Sequence, residues 1–213
     1  MLDGNIAKSQ ISAEQFHTDL QLVHLDLPNI SRIDDYCFSS RLDLSSITIP
    51  NSVSSIGSHA FLRCANLKYV KIPDSVVEIA DSAFFECFNL VSVRIPNKVL
   101  TIEDDTFSDC YSLSDVQLNN VQSICNSAFR ACISLKHIQL PDTLKKIDRS
   151  FYNCIALSSV NFPSSINYIG RGTFADCISL SSVDLSKCMI SALNEEAFNG
   201  CISLSDIKLP KCL

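Results

Sequence analysis

The sequence lacks the marks of a membrane, nucleic-acid or catalytic protein. No apolar run approaches the ~18 residues of a spanning helix, so no membrane span is read from it. Basic charge is scarce: 17 Lys and Arg stand against 23 Asp and Glu, a net charge of −6, where a nucleic-acid binder carries a basic stripe. The opening residues MLDGNIAKSQISAEQF lack the basic-then-apolar order of a secretory leader. That leaves a cytoplasmic chain, a leader outside this sequence, or unconventional export. Cysteine is abundant, but the count of eleven is odd and no Cys-x-x-Cys pair occurs. Neither a zinc ribbon nor a thioredoxin-type motif is supported.

What is present is repetition. Phenylalanine recurs at Phe16, Phe38, Phe61, Phe84, Phe107, Phe129, Phe151, Phe174 and Phe198, at intervals of 22 to 24 residues. Three residues after it comes cysteine in seven copies, from Cys64 to Cys201, with Asp19 and Arg41 in the two earliest. Six residues after it comes leucine in all nine copies, from Leu22 to Leu204. Proline closes seven of the nine copies, with Asn119 and Ser186 as the exceptions. So narrow a period over so many copies means a solenoid, in which no unit buries its own apolar face and neighbours bury it for one another.

Within a copy, as in NLKYVKIP, Val70 and Ile72 alternate with Tyr69 and Lys71, the period of a strand with one buried face. Pro73 ends the pairing, and Asp74-Ser75 is turn chemistry. A second extended piece reaches Ile79, and a single helical turn is expected around Ala83 and Phe84, with Asp81 and Ser82 where N-cap groups belong.

The frame L-x-x-[VI]-x-[LI]-P followed by I-x-x-x-A-F-x-x-C resembles the leucine-rich repeat of the bacterial surface protein A type, from about Phe16 to Leu213. The resemblance implies an α/β repeat solenoid, right-handed and curved. A parallel β-sheet would line its concave face, with short strands and helical turns on the convex side. It also implies a non-catalytic protein-binding module, often adhesive at a cell surface. The alternative from another class is an intracellular scaffold for signalling or cytoskeletal proteins. The expected division is an N-terminal segment 1–15, a partial cap or disordered, and a repeat domain 16–213 of about nine repeats.

The candidate sites reduce to one face. The parallel cysteine column reads as small apolar filler, whereas Cys37, Cys125, Cys188 and Cys212 stand outside it and are better candidates for reactivity. Small polar residues two places after the column, such as Asn66 and Asn89, read as partners for loop backbone groups. The acidic runs Glu103–Asp105 and Glu195–Glu196 fall at the start of the expected helical turn, where negative charge is favoured. The fragment Gly170-Arg171-Gly172 is too isolated for a phosphate loop, and Gly170 matches Gly57 in the repeat frame. The four histidines show no metal spacing and no motif-linked nucleophile, so no catalytic residue, metal or cofactor is expected. Alternation places Tyr69, Lys71, Arg94, Asp115, Gln117, His137 and Gln139 on the outward side of the strands. They are the expected protein-binding residues, with Tyr69, Lys71 and Arg94 as a local cluster, since Tyr and Arg are over-represented at binding hot spots. The last repeat keeps its full apolar pattern through Leu204, Ile207 and Leu209, so the expectation is either a sequence cut short there or end-to-end association between copies through the strand around Asp206 to Leu209.

Overall fold

The computed structural model describes residues 30–211 and 213, together with the backbone of two earlier strands at 10–11 and 24–26. Among the described residues all strand pairing is parallel and runs between consecutive coils. Three-residue strands build one face. His24–Asp26, Ser46–Thr48, Tyr69–Lys71, Ser92–Arg94, Asp115–Gln117, His137–Gln139 and Ser159–Asn161 form a seven-stranded sheet, and Ser182–Asp184 pairs with Asp206–Lys208 beyond it. The Ser181 N–H donates to the Ser158 carbonyl at 3.3 Å and carries the chain from one to the other. Two-residue strands line a second face in two four-stranded sheets, Gln10–Ile11 to Glu78–Ile79 and Thr101–Ile102 to Tyr168–Ile169.

The register explains the repeat. Ile33, Ile56 and Ile79 lie opposite one another, as do Ile102, Ile124, Ile147 and Ile169. Each is buried, and so are Leu44, Leu67, Leu90 and their successors to Leu180. Eight phenylalanine rings from Phe38 to Phe198 stack in one column, with centroids 5.0–5.6 Å apart and planes within 15°. That spacing is close to the ~4.8 Å between strands, so one coil adds one ring. Burying each ring contributes about 1.5–3 kcal/mol before its ordering cost. Phe16 lies outside the described residues.

The expected helical turn is not there. Among the described residues no helix occurs, and the segment around each phenylalanine is a run of turns. The backbone shows why. In every described coil from Phe38 to Phe198 the residues two before and two after the phenylalanine have positive φ: Tyr36 and Ser40, His59 and Arg63, Ser82 and Glu86, and so on to Glu196 and Gly200. A left-handed residue every fourth place forbids a continuous helix. Hydrogen bonding alternates to match. The N–H groups of Ala83, Phe85 and Cys87 donate three residues back, to Ala80, Ser82 and Phe84. Those of Ser82, Phe84 and Glu86 donate to Asp104, Thr106 and Ser108 of the next coil at 2.8–3.0 Å. A helix would use these donors locally and leave the coils unjoined along this side. The architecture is therefore an all-β solenoid, not α/β.

The acidic residue read as an N-cap serves the same joint. Asp35 Oδ1 accepts the N–H of Ser58 and Asp104 Oδ1 that of Asn126, both at 2.9 Å and both one coil on. Gly57 and Gly170 follow from this. A side chain at either would run into Asp35 or Asp148 of the preceding coil. Gly170 is thus a packing feature, while Gly172, with φ of 61°, holds one of the left-handed positions beside Phe174. Asn119 replaces proline for a related reason: its φ is 45°, which the proline ring cannot adopt, and its side-chain amide donates to the Ile95 carbonyl.

Candidate functional site: the face of the long sheet

The three-residue strands set two outward rows one coil apart. In the first, Tyr69 lies opposite Ser46 and Ser92, Asp115 opposite Ser92, and His137 opposite Ser159. In the second, Lys71 lies opposite Thr48, Arg94 opposite Gln117, Gln117 opposite Gln139, and Gln139 opposite Asn161. All seven predicted residues are exposed on this one face, while Val93, Val116 and Ile138 between them are buried.

The seven do not form one site. Asp115, Gln117, His137 and Gln139 share an open depression of about 650 Å³ with Asn119, Ser159 and Asn161. Its polar groups are amides, hydroxyls, one imidazole and one carboxylate. Gln117, Gln139 and Asn161 stand as three amides in register. His137 Nδ1 and Ser159 Oγ share a hydrogen bond of 2.9 Å, which fixes the ring between coils. Tyr69, Lys71 and Arg94 lie on the preceding strands, outside the depression. Tyr69 is 58% exposed. Arg94 is engaged by a residue the repeat pattern did not indicate: its Nη1 lies 2.8 Å from Asp74 Oδ1 in the turn after Pro73. Ser159 and Asn161 were legible as outward neighbours of His137 and Gln139; Asn119 and Asp74, in turns, were not.

The cysteines carry more than volume. Each column thiol donates to the carbonyl of the phenylalanine one coil back, from Cys64 to Phe38 at 2.9 Å through Cys201 to Phe174 at 3.1 Å. Burial pushes the Cys64 and Cys154 thiols up to about 12 from 9.0, so they stay protonated. Two of the cysteines expected to be reactive are buried as well. Cys37 is pushed up to about 12 by burial and then by Asp34, and Cys188 donates to the Pro163 carbonyl. Cys125 is half-buried, with its thiol raised by burial and by Glu103. Cys212 lies outside the described residues. The column position of the amides is used as expected in part: Asn66 donates to the Leu42 carbonyl at 2.6 Å, but Asn89 donates to the Asn66 side chain at 3.3 Å. Among the described residues no group of three His, Cys, Asp or Glu is placed to hold a metal ion, and no helix is long and apolar enough to cross a membrane.

A parallel solenoid with stacked leucine, isoleucine and phenylalanine columns is a leucine-rich repeat protein. The chain belongs to the family described as the BspA type leucine-rich repeat region, which matches residues 31–150 and 123–213. Solved structures agree. A leucine-rich repeat protein of Bacteroides ovatus is 32% identical with a TM-score of 0.74, over 79% of this chain and 46% of its own. The chain therefore spans about half the length of that relative. The leucine-rich repeat protein of Treponema pallidum is 32% identical with a TM-score of 0.72, over 76% of this chain and 79% of its own. The pneumococcal vaccine antigen PcpA, 17% identical with a TM-score of 0.65 over 96% of this chain and 64% of its own, shares the fold. A comparison with the curated proteins finds no match.

Proposed function

We propose that the repeat domain, residues 16–213, is a non-catalytic protein-binding module that meets its partner with the face of the long sheet, the concave side in this family. The observation that carries the reading is the gathering of Asp115, Gln117, His137 and Gln139 around one open depression, with Tyr69, Lys71 and Arg94 on the adjoining strands. Amides and hydroxyls there accept and donate in the manner of a polar interface, and Tyr69 supplies an exposed ring of the kind that anchors one. Family membership makes recognition at a cell surface the first role. The open strand Asp206–Lys208, with Ile207 and Leu209 exposed, is the proposed place for end-to-end pairing with a second copy.

The test is capture of partners from cells by the wild-type chain and by two variants, Lys71→Glu with Arg94→Glu and Gln117→Ala with Gln139→Ala. A partner held by the sheet face is lost from at least one variant while thermal unfolding is unchanged. Partners retained by both place binding elsewhere. Surface labelling of intact cells, compared with cytosolic fractionation, separates the adhesive role from that of an internal scaffold.

A further inference from the structure

Three of the described phenylalanine turns carry a carboxylate two residues after the ring: Glu86, Asp109 and Asp176. Two of them are answered by an arginine from a neighbouring coil. Arg63 Nε lies 2.7 Å from Glu86 Oε2, and Arg130 Nη2 lies 2.7 Å from Asp109 Oδ2. The third is not. The place that Arg130 holds, directly after the next coil's phenylalanine, is taken beside Asp176 by Asn199. Among the described residues the Asp176 carboxylate has no hydrogen bond or ion pair, and the Asn199 side chain has none either. A Cβ at Gly200 would strike Asp176 Oδ1, so that position cannot supply the partner. Asp176 and Asn199 line a cavity of about 310 Å³ with Arg149, Tyr152, Arg171 and Glu196, on the turns of Phe151, Phe174 and Phe198. No strand of the long sheet contributes to it. The other charges in the cavity are already engaged. Arg171 Nη2 lies 2.9 Å from Glu196 Oε1, and its Nε lies 3.9 Å from Glu195 Oε2. The hydrogen bond and charge of Arg171, and then the charge of Arg149, hold the Glu196 carboxyl below its usual range. Arg149 also lies over the Tyr152 ring, 5.9 Å from its centroid. Two arginines thus face three carboxylates, and the charge left over is negative.

We infer that this cavity is a socket for an arginine side chain of a partner polypeptide, whose guanidinium pairs with Asp176 as that of Arg130 pairs with Asp109. The leftover charge selects a cation. The two pairs within the chain select its chemistry, since carboxylates at this place in the turn are met by guanidinium. Its planar fork donates to a carboxylate and to a second acceptor at once, and the side-chain oxygen of Asn199 is that acceptor. A lysine ammonium is a compact, strongly hydrated point charge and cannot span the two in the same way. The Tyr152 ring offers an apolar wall to the aliphatic stem of an arginine. Size selects a single side chain, because the cavity lies at the small end of the ~300–1,000 Å³ typical of ligand sites. The socket lies apart from the face of the long sheet and is independent of the reading given to that face.

The experiment is titration of the isotope-labelled full chain, followed by its amide NMR shifts, at low ionic strength. The probes are acetyl-Gly-Arg-Gly-amide and its lysine and citrulline counterparts. The arginine peptide shifts the amides of Asp176, Asn199 and Gly200 with a dissociation constant of about 1 mM. The lysine peptide binds more weakly. The citrulline peptide, which keeps the shape without the charge, leaves the shifts in place. Asp176→Asn lowers the affinity by roughly tenfold or more, the loss of a charge-assisted hydrogen bond. Asn199→Arg supplies the missing guanidinium from within and lowers it too, with the Asp176 carboxylate kept, so the result does not hang on how one variant folds. Free arginine, which separates a small-molecule ligand from a side chain, binds no tighter than the blocked peptide. Lys71→Glu with Arg94→Glu leaves the titration unchanged, which separates this result from the fate of the sheet-face proposal. An arginine peptide that shifts none of these amides overturns the inference. So do equal binding by the lysine or citrulline peptide, an affinity unaltered in both socket variants, tighter binding of free arginine, or loss of binding in the sheet-face variant.

Discussion

The thiol of Cys87 donates to the carbonyl oxygen of Phe61, one coil back and 3.1 Å away, and the same oxygen accepts the N–H of Cys64 at 3.1 Å. One carbonyl thus ties its own turn and the next coil together. Cysteine suits the position because it is small, apolar and still a weak donor.

The first prediction concerns access to these thiols. The six fully buried members of the column, Cys64, Cys87, Cys110, Cys132, Cys154 and Cys177, react with a thiol reagent only when the protein opens. Thiol counting shows a fast minority in the native protein and the full number in denaturant. Fast titration of most cysteines without denaturant would contradict the packing described above.

Alkaline stability follows from the same column. A thiol raised from 9.0 to about 12, as at Cys64 and Cys154, holds its proton in the folded chain after the unfolded chain has lost it. Stability is therefore full below the unfolded value and falls as pH rises from about 9 toward 12. The slope is ~1.4 kcal/mol per pH unit for each such group. Several groups together reach the whole stability of a domain, ~5–15 kcal/mol, within a few pH units. Denaturant unfolding between pH 8 and 10 measures the slope, and Cys110→Ala with Cys132→Ala makes it shallower. An unchanged slope in that variant rules the thiols out as its cause.

Backbone hand gives a third test. Ser127 has φ of 56° and is one of the left-handed pair around Phe129. Ser127→Gly leaves stability within about 1 kcal/mol of wild type or above it, because glycine reaches this conformation without strain. Ser127→Val costs about 1–2 kcal/mol, since a β-branched side chain at positive φ is an outlier. Chemical denaturation of the pair decides, and equal effects would remove the strain argument.

Glu103 gives the fourth. Burial, and then the charges of Asp104, Glu78 and Asp81, raise its carboxyl above the usual range. The folded chain then binds its proton more tightly than the unfolded one, so stability falls as pH rises from the ordinary glutamate value of ~4.3 through the raised one. Glu103→Gln abolishes that decline and stabilises the protein at neutral pH by a few tenths of a kcal/mol, solvent screening keeping the gain small. Melting temperature against pH, for both proteins, is the measurement. A variant less stable at neutral pH would show that the carboxylate is held by favourable contacts.

The parts of the fold that were legible in the sequence are those with one side chain per coil. Phe61, Phe84 and Phe107 had to stack once the period was seen, and Tyr69 and Lys71 had to point away from Val70. The turn was misread because its conformation is not set by local preference. Arg63 and Glu86 have no intrinsic liking for positive φ; bonds to the next coil hold them there, and a helix rule applied to Ala83 and Phe84 cannot see those bonds. The sheet face was legible as a surface, since alternation fixes which residues face out. Its division was not. Arg94 and Asp74 are twenty positions apart, a distance that belongs to no repeat interval, and their pairing depends on where the turn after Pro73 ends.

Hydrogen bonds that join neighbouring coils at the same places in each repeat have a consequence for how such a chain changes length. Remove one whole unit, and Phe61 meets Phe107 as it met Phe84, with every donor finding an equivalent acceptor. Remove five residues, and each column beyond the cut is rotated out of line. Growth and loss by complete repeats is thus the tolerated mutation, and shortening within a repeat the damaging one.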